Sequence, residues 1–295
     1  MPKPVRAALA SQGPAPTPAQ EFARLYKLTP AEMLDYLVGR TGVKPTFDWR
    51  DLWQDEHALQ FTISRLARLD LLTAIQDGIT ASVEGDLSRR DWMKNTEELL
   101  AKAGWWGDVQ VLDPQTGEAV TTQFDRARLK LIFDTNTSVA HSAGQWQRVQ
   151  DAQMTHPYVR YITRGDERVR ASHAQWNGVT LPLDDPFWNT HWPPNGWRCR
   201  CRVQSMTRRE YARLQADGSI KTEAPPAKTR EWTNPRTGEV LDVPVGIDPG
   251  WAYNPGKAGA RAAEVHATAE RKLASVPATL AEGARQAGLF PGDGP

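Results

Sequence analysis

The stretch WRCRCRVQ, residues 197–204, alternates small or apolar side chains with arginines. Successive side chains of an extended strand point to opposite faces, whereas a helix would scatter the same residues around its circumference. The alternation therefore predicts a half-buried strand. Its inner face would carry Trp197, Cys199, Cys201 and Val203, and its outer face would carry Arg198, Arg200 and Arg202.

These two cysteines are the only ones in the chain. A disulfide between them is disfavoured, because parallel side chains about two strand rises apart overshoot the ~3.5–4.5 Å between Cβ atoms that a bridge requires. Two alternatives are left, packing as small hydrophobic residues and binding of a metal such as zinc. The candidate ligands are His173, Cys199 and Cys201, and a fourth ligand would come from His141, His156, His191 or an acid. We expect packing without a cofactor, and zinc is the alternative.

Length and composition place the chain among ordinary globular proteins. The 295 residues are 40% hydrophobic and 24% charged, and they suffice for one large or two ordinary domains. The formal net charge of +1 excludes the global basic character of a nucleic-acid coat, so any such role must be local. The chain contains no apolar run of about 18 residues, which a membrane span would need. The first residues also lack the apolar core of a signal peptide. We therefore expect a cytoplasmic protein without a membrane partner.

Changes in composition along the chain predict an α+β fold with four segments. Residues 1–20 are rich in Pro, Ala and Gln and are predicted to form a flexible leader. A helical amino-terminal region follows at 21–115, and then a mixed, turn-rich α+β domain with short antiparallel strands at 116–256. Residues 257–295 are rich in Ala, Glu and Arg and are predicted to form a helical tail.

Several boundaries of helices and strands follow from local signals. Ser88 is predicted to cap a helix, and apolar residues at helical spacing from Leu129 to Ala143 predict a long one. Thr207 and Glu210 form a capping box at the start of another helix. Turn residues within TREWTNPRTGEVLDVPV predict a β-hairpin.

Arginine is concentrated between His156 and Arg213, where the chain has ten arginines, no lysine and five acidic residues. The planar guanidinium favours bidentate partners such as carboxylates and phosphates. One interpretation is a basic ridge that binds the DNA backbone or the acidic surface of another subunit, and the other is pairing with the acids of the same segment. The candidate binding residues are Arg168, Arg170, Arg198, Arg200 and Arg202. The tryptophan-rich loop 187–197 would add apolar contact, although core and turn anchors are the more usual role of such tryptophans.

Support for catalysis is limited to one short cluster. Asp166, Glu167 and His173 lie close in the sequence and have the chemistry of a general acid and base. The chain contains no nucleophile elbow, phosphate-binding glycine loop, dinucleotide fingerprint or His-Glu-x-x-His motif. We therefore predict that the protein is not an enzyme. Asn136, on the apolar side of the long helix, is expected to hydrogen-bond a neighbouring segment, and the alternative is a functional polar site in the core.

The segment DERVRASHAQWNGVTLPLDDPFWNTHWPPNGWRCRCRVQ, residues 166–204, resembles the signature block of the phage Mu F-like minor head proteins, also called the phage head morphogenesis family. That block runs from an Asp-x-Arg-x-Arg-x-x-His segment, through a glycine and a phenylalanine-containing loop, to Pro-Pro-Asn and Cys-Arg-Cys. The matching residues are Asp166, Arg168, Arg170, His173, Gly178, Phe187, Pro193, Pro194, Asn195, Cys199, Arg200 and Cys201. Together with similar flanks, the resemblance covers roughly residues 20–256.

The resemblance implies a minor component of the head of a tailed phage or prophage, present in few copies. It would act with the portal protein and with the major capsid or scaffold protein, and packaged DNA is a further partner. Its location would be the virion head, after assembly in the cytoplasm of the bacterial host. No catalytic role is transferred, because the signature residues of the family have no settled one. Two other functions stay open: a metal-dependent hydrolase or nuclease, and a DNA-binding protein that is ejected with the genome.

Overall fold

The computed structural model describes residues 31–40 and 42–261. The leader predicted at 1–20 lies outside the described residues, and so does most of the tail predicted at 257–295, although residues 255–261 are helical. Helices combined with short strands, most of them antiparallel, confirm the α+β class.

The amino-terminal part is mostly helical, as predicted. Its helices are α1 (Ala31–Val38), α2 (Leu69–Glu84) and α3 (Arg89–Lys102). The side chain of Ser88 accepts a hydrogen bond from the backbone N–H of Asp91 and thereby satisfies a free donor in the first turn of α3. The sequence-based prediction of this cap is confirmed.

The connection from α1 to α2 contains short extended and 3₁₀ pieces. Strands β1 (Gly42–Val43) and β2 (Gln60–Phe61) pair in parallel. Between them, the chain forms two 3₁₀ turns at Trp49–Asp51 and Gln54–Ala58. This connection packs Phe61 and Ala58 into the core, where both are buried.

A β-hairpin after α3 was not predicted. Strands β3 (Gly107–Leu112) and β4 (Ala119–Phe124) pair antiparallel along their whole length. Asp113 opens the turn, because its Oδ1 accepts a hydrogen bond from the N–H of Gln115 at 2.9 Å. One inward position of β4 is occupied by the buried Thr122, so the apolar alternation that would identify the strand is broken in the sequence.

Helix α4 (Arg126–Asp151) is the long helix predicted from Leu129 to Ala143. Asp125 caps it by accepting a hydrogen bond from the N–H of Arg128. The helix contacts α1, α2 and α3 on one side of the predicted domain boundary and β4 on the other. Its buried apolar residues are Leu129, Phe133, Val139, Ala140, Ala143, Trp146 and Val149.

The carboxy-terminal half contains a three-stranded antiparallel sheet with the order β6-β5-β7. Its strands are β5 (Tyr158–Ile162), β6 (Thr180–Pro182) and β7 (Arg202–Met206). Two short helices, α5 (Ala171–Trp176) and α6 (Phe187–Thr190), lie in the connections between these strands. Strand β7 begins only after both cysteines, so the cysteines lie in the loop that leads into it.

The predicted hairpin is present, and of the predicted capping box the structure shows the Thr207 cap without the reciprocal bond from the Glu210 side chain. Thr207 accepts a hydrogen bond from the N–H of Glu210 at the start of α7 (Arg208–Ala216). Strands β8 (Thr229–Thr233) and β9 (Val240–Pro244) then pair antiparallel. Local sequence signals were sufficient for both elements.

One cluster of buried apolar side chains extends from Met33 on α1 to Ala252 after β9. It includes residues on both sides of the predicted boundary between residues 115 and 116, and the division into domains stays a prediction. Trp188 and Trp192 are fully buried in this cluster. They are core anchors, as expected for tryptophans of the loop 187–197.

Candidate functional site

The strand predicted for residues 197–204 is wrong in its first half. The backbone turns there, because the N–H of Cys199 donates to the carbonyl of Gly196 at 3.1 Å and Arg198 adopts a left-handed φ of 58°. The carboxylate of Asp248 also draws this segment away from the sheet by accepting a hydrogen bond from the N–H of Trp197 at 3.0 Å.

The predicted division of side chains between inside and outside is nevertheless present. Arg198, Arg200 and Arg202 are exposed, and Cys199 and Cys201 are half-buried with free thiols. Side chains of this turn therefore alternate between the inside and the outside of the protein, although the turn is not a strand.

His173, Cys199 and Cys201 converge into one group, which we call the Cys-His cluster. The Sγ atoms of both cysteines lie 3.6 Å from Nδ1 of His173. All three potential ligand atoms lie within 4.8 Å of one another. The histidine is buried and comes from helix α5, whereas the cysteines come from the loop before β7.

A hydrogen bond and a ring contact fix the orientation of His173. Its Nε2 lies 2.9 Å from the carbonyl oxygen of Gly246, and because a carbonyl only accepts, Nε2 carries the proton. The ring also stacks on Trp176 at 4.9 Å between centroids. The other ring nitrogen, Nδ1, therefore faces the two sulfur atoms.

Electrostatics makes the two thiols unequal. The pKa of Cys199 is lowered to about 4, mainly because Cys201 donates a hydrogen bond to its sulfur, with further help from His173 and from the backbone amides of Asn195 and Cys201. The pKa of Cys201 is raised, because it supplies that proton and because it is half-buried. Without a cation, the pair therefore favours one thiolate and one thiol.

The candidate arginines divide into two kinds. The guanidinium of Arg200 makes two hydrogen bonds of 2.6 Å to the carboxylate of Asp166, and the pKa of Asp166 is lowered by these bonds. Arg170 pairs with Asp248 at 3.0 Å. Internal pairing, the alternative to a binding ridge, thus accounts for Arg170 and Arg200. Within the described residues, no ion pair is found for Arg168, Arg198 or Arg202.

The Cys-His cluster and most of these arginines line one cavity of about 1020 Å³, which we call the arginine cavity. Lys130 and His141 of helix α4 also line it. A small anion that enters this cavity would meet several guanidinium groups next to two sulfur atoms. The arginines that line it are Arg168, Arg170, Arg198 and Arg200.

The acid and base pair suggested by the sequence does not assemble as a site. Asp166 and Glu167 are exposed, and neither carboxylate lines the arginine cavity. Asp166 is bound to Arg200, while His173 faces the thiols. Arg200 therefore engages the Asp166 carboxylate, and the imidazole of His173 is turned towards the sulfur atoms and not towards an acid.

Sequence reasoning missed Arg40, which lines a second cavity of about 610 Å³. This guanidinium is 5% exposed and donates a hydrogen bond of 2.8 Å to Oδ1 of Asn136. The expectation that Asn136 hydrogen-bonds a neighbouring segment is thereby confirmed. No sequence signal distinguishes Arg40 from a surface arginine.

A family model matches part of the chain. Residues 73–204 match the model described as Phage Mu protein F like protein, and this range includes the Cys-His cluster and all five candidate arginines. The chain is similar to the phage Mu F-like family. Two curated relatives agree with this assignment, and no solved structure matches.

The first of these relatives is named "Putative capsid assembly protein F" of Escherichia phage Mu. It is 31% identical over 252 residues, which are 81% of this chain and 56% of the relative. The second, the Mu-like prophage FluMu F protein of Haemophilus influenzae (strain ATCC 51907 / DSM 11121 / KW20 / Rd), is 30% identical over 227 residues, or 72% of this chain and 53% of the relative. The chain thus spans just over half the length of each relative.

The remaining Mu F-like signature residues hold the framework of the site. Asn195 is fully buried and accepts a hydrogen bond of 2.9 Å from the hydroxyl of Tyr161 on β5. The ring of Phe187 stacks on His191 at 4.2 Å. Gly178 has a φ of 84°, a conformation that favours glycine. Pro193 and Pro194 are buried beside Asn195.

No helix among residues 31–40 and 42–261 is long and apolar enough to cross a membrane.

Proposed function

We propose that this chain is a low-copy head protein of a tailed phage or prophage that acts during head assembly at the portal or on the inner capsid wall. The name of the phage Mu relative supports a role in capsid assembly. That name describes assembly and no catalytic activity, which supports a structural role for this chain. It works in the host cytoplasm while heads form and stays in the virion head.

The contact surface in this proposal consists of Arg168, Arg198 and Arg202. These side chains are exposed, and no internal carboxylate neutralises them within the described part of the chain. Exposed guanidinium groups make bidentate hydrogen bonds with carboxylates. The observation that carries the proposal is this set of unpaired arginines beside two internally paired ones. Their partner is an acidic surface of the portal, scaffold or major capsid protein.

Aromatic contact comes from Trp197 alone among the tryptophans of the loop 187–197. Trp188 and Trp192 are fully buried, and Trp192 packs edge-on against Trp146 with 4.8 Å between ring centroids. Trp197 is half-buried beside the exposed Arg198. A buried aromatic anchor surrounded by polar groups is the usual composition of a protein interface.

The test replaces Arg168, Arg198 and Arg202 together by alanine in a lysogen whose own copy of the gene is deleted. We expect folded protein but a fall in infectious titre of about tenfold or more, since a loss of about 1.4 kcal/mol in binding lowers an association constant tenfold. Pull-down from the lysate should lose head proteins in parallel.

The matched control removes the same charge from α3, through Arg90→Ala, Lys94→Ala and Lys102→Ala. These residues are exposed and do not line the arginine cavity. Normal titre from the control and reduced titre from the arginine variant support the proposal. Equal titres from both variants would show that the arginine surface has no part in head assembly.

A purely DNA-binding role gives a different result. The purified chain would then bind a duplex oligonucleotide with an affinity that falls steeply with salt, with a logarithmic slope of about −0.9 for each phosphate contacted. We expect weak duplex binding and specific capture of a head protein. Strong, salt-sensitive duplex binding without protein capture would replace our proposal by the DNA-binding one.

A further inference from the structure

The equal spacing within the Cys-His cluster calls for an explanation. Both Sγ atoms lie 3.6 Å from the same Nδ1, although one ring nitrogen makes only one good hydrogen bond. Tetrahedral zinc with Zn–S of about 2.3 Å and Zn–N of about 2.0–2.1 Å places nitrogen and sulfur ligands about 3.6 Å apart. Both nitrogen–sulfur distances of the cluster therefore already match those of ligands around one shared ion.

We propose that His173, Cys199 and Cys201 bind one zinc ion, and that the fourth coordination position opens into the arginine cavity. Thiolate and imidazole ligands favour zinc over hard cations such as magnesium and calcium, which prefer oxygen ligands. Cys201 loses its proton to solvent when the metal binds, so that both sulfur atoms are thiolates. The centre then carries two thiolate charges balanced by the divalent cation.

The surroundings of the ligands match those of a metal site. A metal-ligating histidine commonly donates its second N–H to a backbone carbonyl, and Nε2 of His173 does so to Gly246 at 2.9 Å. This contact orients the histidine before any ion arrives.

Close packing maintains the carbonyl that holds His173. A Cβ atom at Gly246 would lie 2.8 Å from Cβ of Ser172 and 2.9 Å from the ring of Trp176. Gly246 also has a φ of 97°, which a side chain rarely permits. Glycine at this position therefore lets the loop after β9 approach α5 closely enough to orient the histidine.

The fourth position is open because the described residues supply only three ligands. His173, Cys199 and Cys201 are the only potential metal-binding group of three or more His, Cys, Asp and Glu residues within that part of the chain. All three line the arginine cavity together with Arg168, Arg170 and Arg198. Water occupies the position at rest, and the positive surroundings favour its exchange for an anionic oxygen ligand.

The experiment uses the full chain, purified with a reductant and without added chelator. Elemental mass spectrometry should find about one zinc per chain. Cys199→Ser, Cys201→Ser and His173→Gln should each lose most of it. The matched control, His57→Gln, changes a histidine that lines the other cavity and lies outside the cluster, and it should retain the zinc.

Cobalt substitution tests the ligands without relying on variants that fail to fold. Co²⁺ added to the zinc-free chain should produce the intense absorption of cobalt–thiolate bonds and a tetrahedral visible spectrum. Two results together would overturn the proposal. The protein would contain no zinc when isolated, and the zinc-free protein would show no such absorption after Co²⁺ is added.

Inorganic phosphate added to the cobalt protein tests the open position. A shift of the visible bands would support exchange at a position that faces the arginine cavity. An unchanged spectrum at saturating phosphate, with the cobalt–thiolate absorption intact, would overturn the open fourth position. Neither readout depends on capsid assembly, so this proposal and the proposed function can fail separately.

Discussion

Asn195 connects the Cys-His cluster to the sheet through its side chain. Its Oδ1 accepts from the hydroxyl of Tyr161 at 2.9 Å, and its Nδ2 donates to the carbonyl of Thr190 at 3.2 Å. The backbone N–H of the same residue donates to the sulfur of Cys199. The buried side chain of Asn195 thus holds the loop in place, while the backbone N–H of the residue stabilises the thiolate of Cys199.

Replacing Asn195 by alanine separates these two roles, because the backbone N–H is kept. We expect the free energy of unfolding to fall by about 1–3 kcal/mol, since the buried Tyr161 hydroxyl loses its partner. Urea titration measures the change, and Tyr161→Phe, with the double variant, completes a mutant cycle. A change below about 0.5 kcal/mol would contradict this account.

Arg198 illustrates what alternation in a sequence can and cannot predict. The pattern correctly indicated that its side chain is exposed, but its backbone has a φ of 58°, which no strand has. Alternation reports which side of the chain faces the core. It does not distinguish a strand from a turn that keeps the same sides.

Helices α1 and α4 approach closely at Gly144. A Cβ atom there would lie 2.9 Å from the backbone nitrogen of Met33 and 3.3 Å from its Cα. Glycine within a helix is unfavourable by about 1 kcal/mol relative to alanine, so close packing is the reason for its presence here. The backbone of α1 has no flexible side-chain end that could yield.

Gly144→Ala is therefore expected to destabilise the fold, although alanine is the better helix former. The clash with α1 costs about 1–3 kcal/mol and exceeds the gain in helix propensity. The control is Lys130→Ala at an exposed position of α4, which should change the free energy of unfolding by less than about 0.5 kcal/mol. Denaturant titration of both variants decides the matter, and a stabilised Gly144→Ala protein would disprove the close approach.

Stability of the whole molecule should depend on the protonation of His57. This side chain lies in the 3₁₀ turn Gln54–Ala58 and lines the 610 Å³ cavity. Burial, together with repulsion from Arg40, lowers its pKa from 6.5 to about 4. The folded state therefore holds the neutral ring, whereas the unfolded chain takes up a proton below about pH 6.5.

The sign of the pH dependence follows from this difference. Since the unfolded state binds more protons between pH 6.5 and 4, stability is retained above that range and is lost as the pH falls through it. We expect the free energy of unfolding to drop by about 1–2 kcal/mol between about pH 7 and pH 5 through this residue. His57→Gln should reduce the slope over that interval by this amount, measured by urea titration. Part of the remaining slope comes from His191, whose pKa burial also lowers to about 4. An unchanged slope would assign the loss to other groups.

The sequence by itself determined the features that depend on neighbours along the chain. Ser88 and Thr207 mark the starts of helices because a cap needs only a donor three residues away. The α+β class, the long helix α4 and the exposure of the arginines also follow from patterns between neighbours in the sequence. The signature block contained every residue of the Cys-His cluster.

Only the tertiary structure decided which of these residues meet. Arg170 pairs with Asp248, 78 residues away, and Nε2 of His173 binds a carbonyl 73 residues away. Arg40 reaches Asn136 over 96 residues. Periodicity fixes the side on which a residue lies, but contacts of this range depend on how helices and sheet pack in three dimensions. That packing sets the spacing of His173 and the two cysteines.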